Sequence, residues 1–173
     1  AKELLGSQFH EERLLALLLF VDKFGNGDEK VKTSIYKLYM ANTRLINNWD
    51  LVDSSASQIV GVYLADLDKD PFYQLAKSKM LWERRIAIIA TFHYIKHDDF
   101  KVALKISETL LTDDEDLIHK AVGWMLREIG KRNVAVEERY LKRYYKIMPR
   151  TMLRYAIEKF PEHKRHAYLK GTV

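Results

Sequence analysis

One carboxylate among regularly spaced cations carries the most chemical content in this sequence. Arg13, Asp53, Arg85, Lys120 and Arg150 occupy comparable places in successive helical segments, at intervals of 40, 32, 35 and 30 residues. Equivalent positions of a stacked repeat form a row along one surface. Four Arg or Lys in such a row make a natural track for phosphates. Asp53, the fifth, suits backbone binding poorly and invites a catalytic reading.

Two tryptophans stand near these charges. In Lys120-Ala-Val-Gly-Trp124-Met-Leu-Arg127-Glu-Ile-Gly-Lys131, helical spacing puts Lys120, Trp124, Arg127 and Lys131 on one stripe, with Ile118, Val122, Met125 and Ile129 opposite as the core face. Trp124 then serves either as a platform for a sugar or base, or as a residue packed on a neighbouring helix pair. Gly123 permits another backbone to come close. Trp49 and Asp53 are i and i+4 and share a side. Ordinary readings compete here: Trp49 as a core residue, Asp53 as a first-turn acid favoured by the helix dipole. Arg85 lies in an otherwise apolar segment and needs a partner, either a protein acid such as Asp53 or a phosphate.

Weaker signals lie elsewhere. His93 and His97 have the spacing of paired metal ligands, but no third ligand is evident, so no metal and no cofactor is expected. Arg139-Tyr-Leu-Lys-Arg-Tyr-Tyr-Lys146, with Arg150 and Arg154, either extends a phosphate track or is a solvated face. A glycine-rich phosphate loop, a nucleophile elbow and a kinase signature are all missing.

The elements that must hold these residues are helices. The 173 residues include only 7 Gly and 3 Pro, too little punctuation for a many-stranded fold. Periodicity predicts about ten helices, near 8–24, 28–42, 48–66, 71–79, 81–96, 99–111, 115–131, 134–147, 149–160 and 161–169. Pro71, Pro149 and Pro161 fit first-turn positions. The expected fold is all-α, an α-solenoid of antiparallel helix pairs of the HEAT or armadillo kind, in one domain over 1–173. The apolar run from Leu14 to Val21 is too short for a bilayer and reads as a core helix. A net charge of +5 favours an anionic partner, and the lack of cysteine removes disulfides, thiolate catalysis and Cys-based zinc sites and fits a cytoplasmic setting. The chain opens at Ala1 without an initiator Met, already close to a helix, as a piece of a longer product would.

Three segments together resemble the AlkD-type DNA alkylation repair family, HEAT-like repeat DNA glycosylases: Trp49-Asp-Leu-Val-Asp53, Trp82-Glu-Arg-Arg85-Ile-Ala-Ile, and Lys120-Ala-Val-Gly-Trp124-Met-Leu-Arg127-Glu128. Met148-Pro-Arg-Thr-Met-Leu-Arg-Tyr155 fits the family's last repeat. The resemblance implies a monofunctional glycosylase acting on 3- or 7-alkylated purines in duplex DNA. Asp53 would take the catalytic carboxylate's place and Arg85 that of the basic residue beside it. Trp49 and Trp124 would touch the lesion nucleotide's sugar and backbone. Two departures stand out: the family usually has further helices ahead of this chain's first, and some relatives carry a second Trp where Asn48 stands, which thins the aromatic clamp.

The implied chemistry is self-consistent. A purine alkylated on a ring nitrogen is cationic and departs as a neutral base without a general acid. Positive character then develops on the deoxyribose, where one carboxylate stabilises it and positions water. Arg13, Lys120, Arg127, Lys131, Arg150 and Arg154 are the candidate DNA contacts, and a capped solenoid is monomeric by default. The rival is a non-catalytic HEAT scaffold binding DNA or an acidic protein. The enzyme reading requires that Asp53 not be buried in a private salt bridge, and that it and the two tryptophans not be aimed at different sides of the molecule.

Overall fold

The computed structural model describes residues 2–173, and among them the chain is helical, with no strand. It divides into two compact units, residues 1–93 and 94–173. No helix among the described residues is long and apolar enough to cross a membrane.

The first unit contains α1 (Lys2–Leu5), α2 (His10–Asn26), α3 (Glu29–Ala41), a 3-10 turn (Thr43–Leu45), α4 (Trp49–Asp53) continuing into a π turn (Ser57–Gly61), α5 (Asp70–Ala76) and α6 (Leu81–Ala90). Asp28 starts α3 by accepting the Val31 N–H at 2.9 Å, which satisfies one of the donors a helix start leaves orphaned. Asn48 starts α4 in extended conformation, its side chain accepting the N–H of the next residue, Trp49, at 2.8 Å. The position with no second indole is therefore a helix cap.

Two predicted helices are interrupted. The 48–66 segment passes through the π turn, where Gly61 lies so near Ala90 that a Cβ would collide with its carbonyl oxygen. The 81–96 segment breaks at Thr91 into α6 and α7 (Phe92–Lys96); the Thr91 hydroxyl donates to the Ile88 carbonyl at 2.6 Å, as does its N–H at 3.2 Å. Hydroxyl back-bonding of this kind bends helices.

The core of this unit includes Leu17, Phe20, Tyr39, Val52, Ala56, Val60, Phe72 and the Ile86–Ala90 run. The expectation that Leu14–Val21 is a core helix needs correction. Ala16, Leu17 and Phe20 are buried, whereas Leu15, Leu18 and Leu19 are 43–48% exposed. An eight-residue run exceeds two helical turns, so it covers all sides of the helix, and its neighbours α1, α3, α4 and the π turn leave part of that circumference open.

The second unit contains α8 (Lys101–Thr109), α9 (Asp116–Arg132), α10 (Val134–Tyr144), α11 (Arg150–Ala156) ending in a 3-10 turn (Ile157–Lys159), and α12 (Glu162–Lys170). Helix α9 is the hub, packing on α8, α10 and α11. Its predicted core stripe is fully buried: Ile118, Val122, Met125 and Ile129 are each 0% exposed. Gly123 has the close neighbour its size allows, since a Cβ there would sit 2.5 Å from the Met152 carbonyl oxygen and from Tyr155 Cβ on α11. Pro149 and Pro161 cap α11 and α12 from just outside, with ψ of 141° and 147°; only Pro71 lies within its helix, in the first turn of α5. Gly171 closes α12 at φ 75°, the left-handed end that glycine favours.

Candidate active site

Asp53 lies at the end of α4, and its carboxylate faces α6. Arg85 Nε donates to Asp53 Oδ1 at 2.9 Å and Arg85 Nη2 to Oδ2 at 2.8 Å, a bidentate pair. The open choice for Arg85 falls on the protein acid: at 5% exposure it is not offered to a phosphate. The Asp53 side chain keeps 17% of its surface in solvent. Each oxygen of Asp53 accepts one of these two bonds. The salt bridge is real and largely buried, but it is not sealed. Burial pushes the Asp53 carboxyl upward from its ordinary value, the bond and charge of Arg85 oppose this, and Asp50 adds to the rise.

Polar contacts behind Asp53 fix its helix. Ser55 donates to the Leu51 carbonyl at 2.6 Å and pairs with the buried Tyr39 hydroxyl at 3.1 Å, which ties α4 to α3. At the other end of α4, His10 Nε2 lies 2.6 Å from Asp50 Oδ2, and Arg13 Nη2 donates to Asn47 Oδ1 at 3.4 Å. Both contacts clasp the residues flanking Trp49 to the start of α2. Trp49 itself is 54% exposed, so it is not the core residue of the competing reading. An indole half in water, on the same short helix as a partly exposed carboxylate, is the chief local oddity of this unit.

The sequence-nominated cations differ in how free they are. Arg13 Nη1 donates to the carbonyls of Ser7 and Gln8 at 2.9 and 3.2 Å, so its guanidinium organises the turn between α1 and α2. Lys120 pairs with Asp116 at 2.7 Å, and Arg127 with Glu158. Lys131 reaches Glu128 at 2.6 Å. Arg150 donates to the Leu169 carbonyl at 2.7 Å, while Arg154 is exposed and has no ion pair among the described residues.

Trp124 is half-buried, and its indole N–H donates to Glu128 Oε1 at 3.0 Å. Glu128 is the residue that sequence reasoning overlooked here. It also faces Arg127 Nε at 3.7 Å, so one carboxylate collects the indole and two cations of the α9 stripe. The signal was its i+4 spacing from Trp124. A second omission is Glu137, 1% exposed and lodged where a Cβ on Gly130 would collide with it. Burial pushes its carboxyl up to about 8, opposed by the charges of Lys164 and Arg127. No three His, Asp or Glu side chains are grouped as metal ligands among the described residues.

Comparison with known proteins adds three findings. The family model described as DNA alkylation repair enzyme matches residues 1–160. A solved structure, a predicted DNA alkylation repair enzyme from Enterococcus faecalis, superposes with a TM-score of 0.69 at 18% identity, over 90% of this chain and 71% of that one. At that identity the likeness is one of fold. No match to a curated protein was found.

Proposed function

Because the chain belongs to the DNA alkylation repair enzyme family, we propose that it is a monofunctional DNA glycosylase for cationic 3- or 7-alkylated purines in duplex DNA. The observation that carries this reading is Asp53, held and oriented through both oxygens by Arg85 with an edge in solvent, four residues from exposed Trp49.

In the reaction the C1′–N bond of the alkylated nucleotide breaks heterolytically. Its electron pair neutralises the cationic base, and the sugar takes up positive character. Asp53 stabilises that charge and orients the water that attacks C1′, and the water's proton passes to solvent. Arg85 does not touch substrate; it positions the carboxylate and keeps it charged. Trp49 lies against the sugar and limits solvent there. In the second unit Arg150 and Arg154 contact the DNA backbone, joined beside Trp124 by Lys120, Arg127 and Lys131 as these exchange their carboxylate partners for phosphate, and Arg13 holds the Trp49 loop in place. Unmodified purines lack a cationic leaving group, so selectivity follows from the substrate's own chemistry. The protein acts as a cytoplasmic monomer.

A second reading has an observation of its own: the Asp53–Arg85 pair is buried enough to be purely structural, as in a non-catalytic scaffold. Base release from methylated duplex DNA separates the two. The enzyme releases 7-methylguanine, and Asp53→Asn abolishes release while DNA affinity stays equal or rises, because a repelling charge is gone. A scaffold releases nothing in either form.

A further inference from the structure

The positive charge of this protein is not shared between its units. Residues 1–93 hold 12 Lys and Arg against 12 Asp and Glu, whereas residues 94–173 hold 17 against 12, so the whole excess lies in the second unit. Within that unit it is concentrated further: residues 139–173 carry 10 basic side chains and 2 acidic ones.

Helix α10 opens this segment with Arg139, Lys142, Arg143 and Lys146, a spacing of i, i+3, i+4 and i+7 that makes one helical stripe. Lys146 lies just past the end of α10 but on the same continuing turn, since Tyr145 N–H bonds the Leu141 carbonyl at 2.7 Å and Met148 N–H the Tyr144 carbonyl at 3.1 Å. All four side chains are exposed. Arg139, Lys142 and Lys146 have no ion-pair partner among the described residues. The guanidinium of Arg143 lies 5.0 Å over the Tyr144 ring, whose hydroxyl donates to Glu108. Arg143 thus stands near the charge of Glu108, but the other three differ from the cations of α9. There Lys120, Arg127 and Lys131 each face an acid, so a phosphate arriving at α9 meets cations already matched by carboxylates.

We propose that this face of α10 is a docking surface for the backbone of duplex DNA, separate from the stripe on α9, supplying affinity that does not depend on a lesion. The inference rests on duplex DNA being the substrate. Seven residues of helix extend roughly 10 Å, over which one strand of a duplex presents about three phosphates. The exposed apolar side chains of this segment, Val134 and Ile147, lie at its two opposite ends and form no shared patch to act as the desolvated anchor that protein interfaces use. Charge and spacing therefore fit a phosphate backbone better than an acidic protein.

The test measures binding of an undamaged duplex oligonucleotide over a range of KCl concentrations. It compares the full chain with the triple variant Arg139→Gln, Lys142→Gln, Lys146→Gln. Glutamine keeps helix propensity, and circular dichroism checks the fold. The slope of log affinity against log salt falls by about three in magnitude, roughly one per lost phosphate contact, and falls equally for a methylated duplex. An unchanged slope overturns the proposal. So does a variant that keeps the DNA slope but loses binding to polyglutamate, which assigns the stripe to an acidic protein. Loss of slope in a protein that releases no base upholds the surface while the glycosylase reading falls.

Discussion

Arg85 and Asp53, 32 residues apart in sequence, meet through two parallel hydrogen bonds at 2.9 and 2.8 Å, with the arginine almost out of water and the aspartate at its edge. The exposed surface of the pair belongs mainly to the acid. That is the orientation a carboxylate needs if a sugar cation is to approach it, and it casts the arginine as a support.

Arg85→Met leaves a part-buried carboxylate without its cation, and stability falls by about 3 kcal/mol at neutral pH. Burial already raises the carboxyl of Asp53, and without Arg85 it rises further. Below the unfolded carboxyl pKa both states are protonated and the penalty vanishes; it grows as pH climbs from that value through the folded one. Denaturant unfolding of wild type and variant at acid and neutral pH reads the difference.

Trp49→Ala separates function from folding. The ring is already half in water, so the change in stability stays within about 0.5 kcal/mol. Base release falls by an order of magnitude or more if the indole lies against the lesion's sugar. Thermal melting and single-turnover release, measured on one preparation, give both values.

Gly61→Ala forces a methyl onto the Ala90 carbonyl, where only backbone can yield. Overpacking of this kind costs about 1–3 kcal/mol. The displaced segments are those carrying Asp53 and Arg85, so base release drops together with the melting temperature.

Glu137→Gln tests the buried acid of the second unit. A carboxyl raised to about 8 in the folded state holds its proton there while the unfolded chain has lost it, so wild-type stability declines as pH rises from about 4.5 to about 8. The glutamine variant lacks that decline. It gains on wild type across this window by at least ~1 kcal/mol, and the difference is constant above it.

Much of the architecture was legible because helical periodicity is a strong signal. Ile118, Val122, Met125 and Ile129 announced the buried face of α9, and Gly123 announced its close approach to α11. The breaks were not legible. Thr91 and the serines after Asp53 compete for backbone carbonyls, and their spacing does not reveal when a hydroxyl wins. Leu15, Leu18 and Leu19 misled because an unbroken apolar run has no polar side by which to orient the helix.

At the site, Asp53, Trp49 and Arg85 could be nominated from type and spacing, but not the pairing of Arg85 with acid instead of phosphate. That choice depends on how closely α4 and α6 pack. Glu128 was hidden inside a stripe read for its cations. Glu137 gave no signal, since a charged residue within a helix ordinarily marks the solvent side.

The central claim is that Asp53 acts on the substrate and is not merely half of a structural ion pair. Asp53→Leu combined with Arg85→Met tests it most directly. Replacing both members of a buried pair with apolar residues is often neutral or stabilising, so the double variant folds and melts near wild type. Release of 7-methylguanine from methylated duplex DNA is then measured under single-turnover conditions. The catalytic assignment predicts a stable protein that releases no base above the spontaneous rate. Release at the wild-type rate from that stable double variant contradicts it.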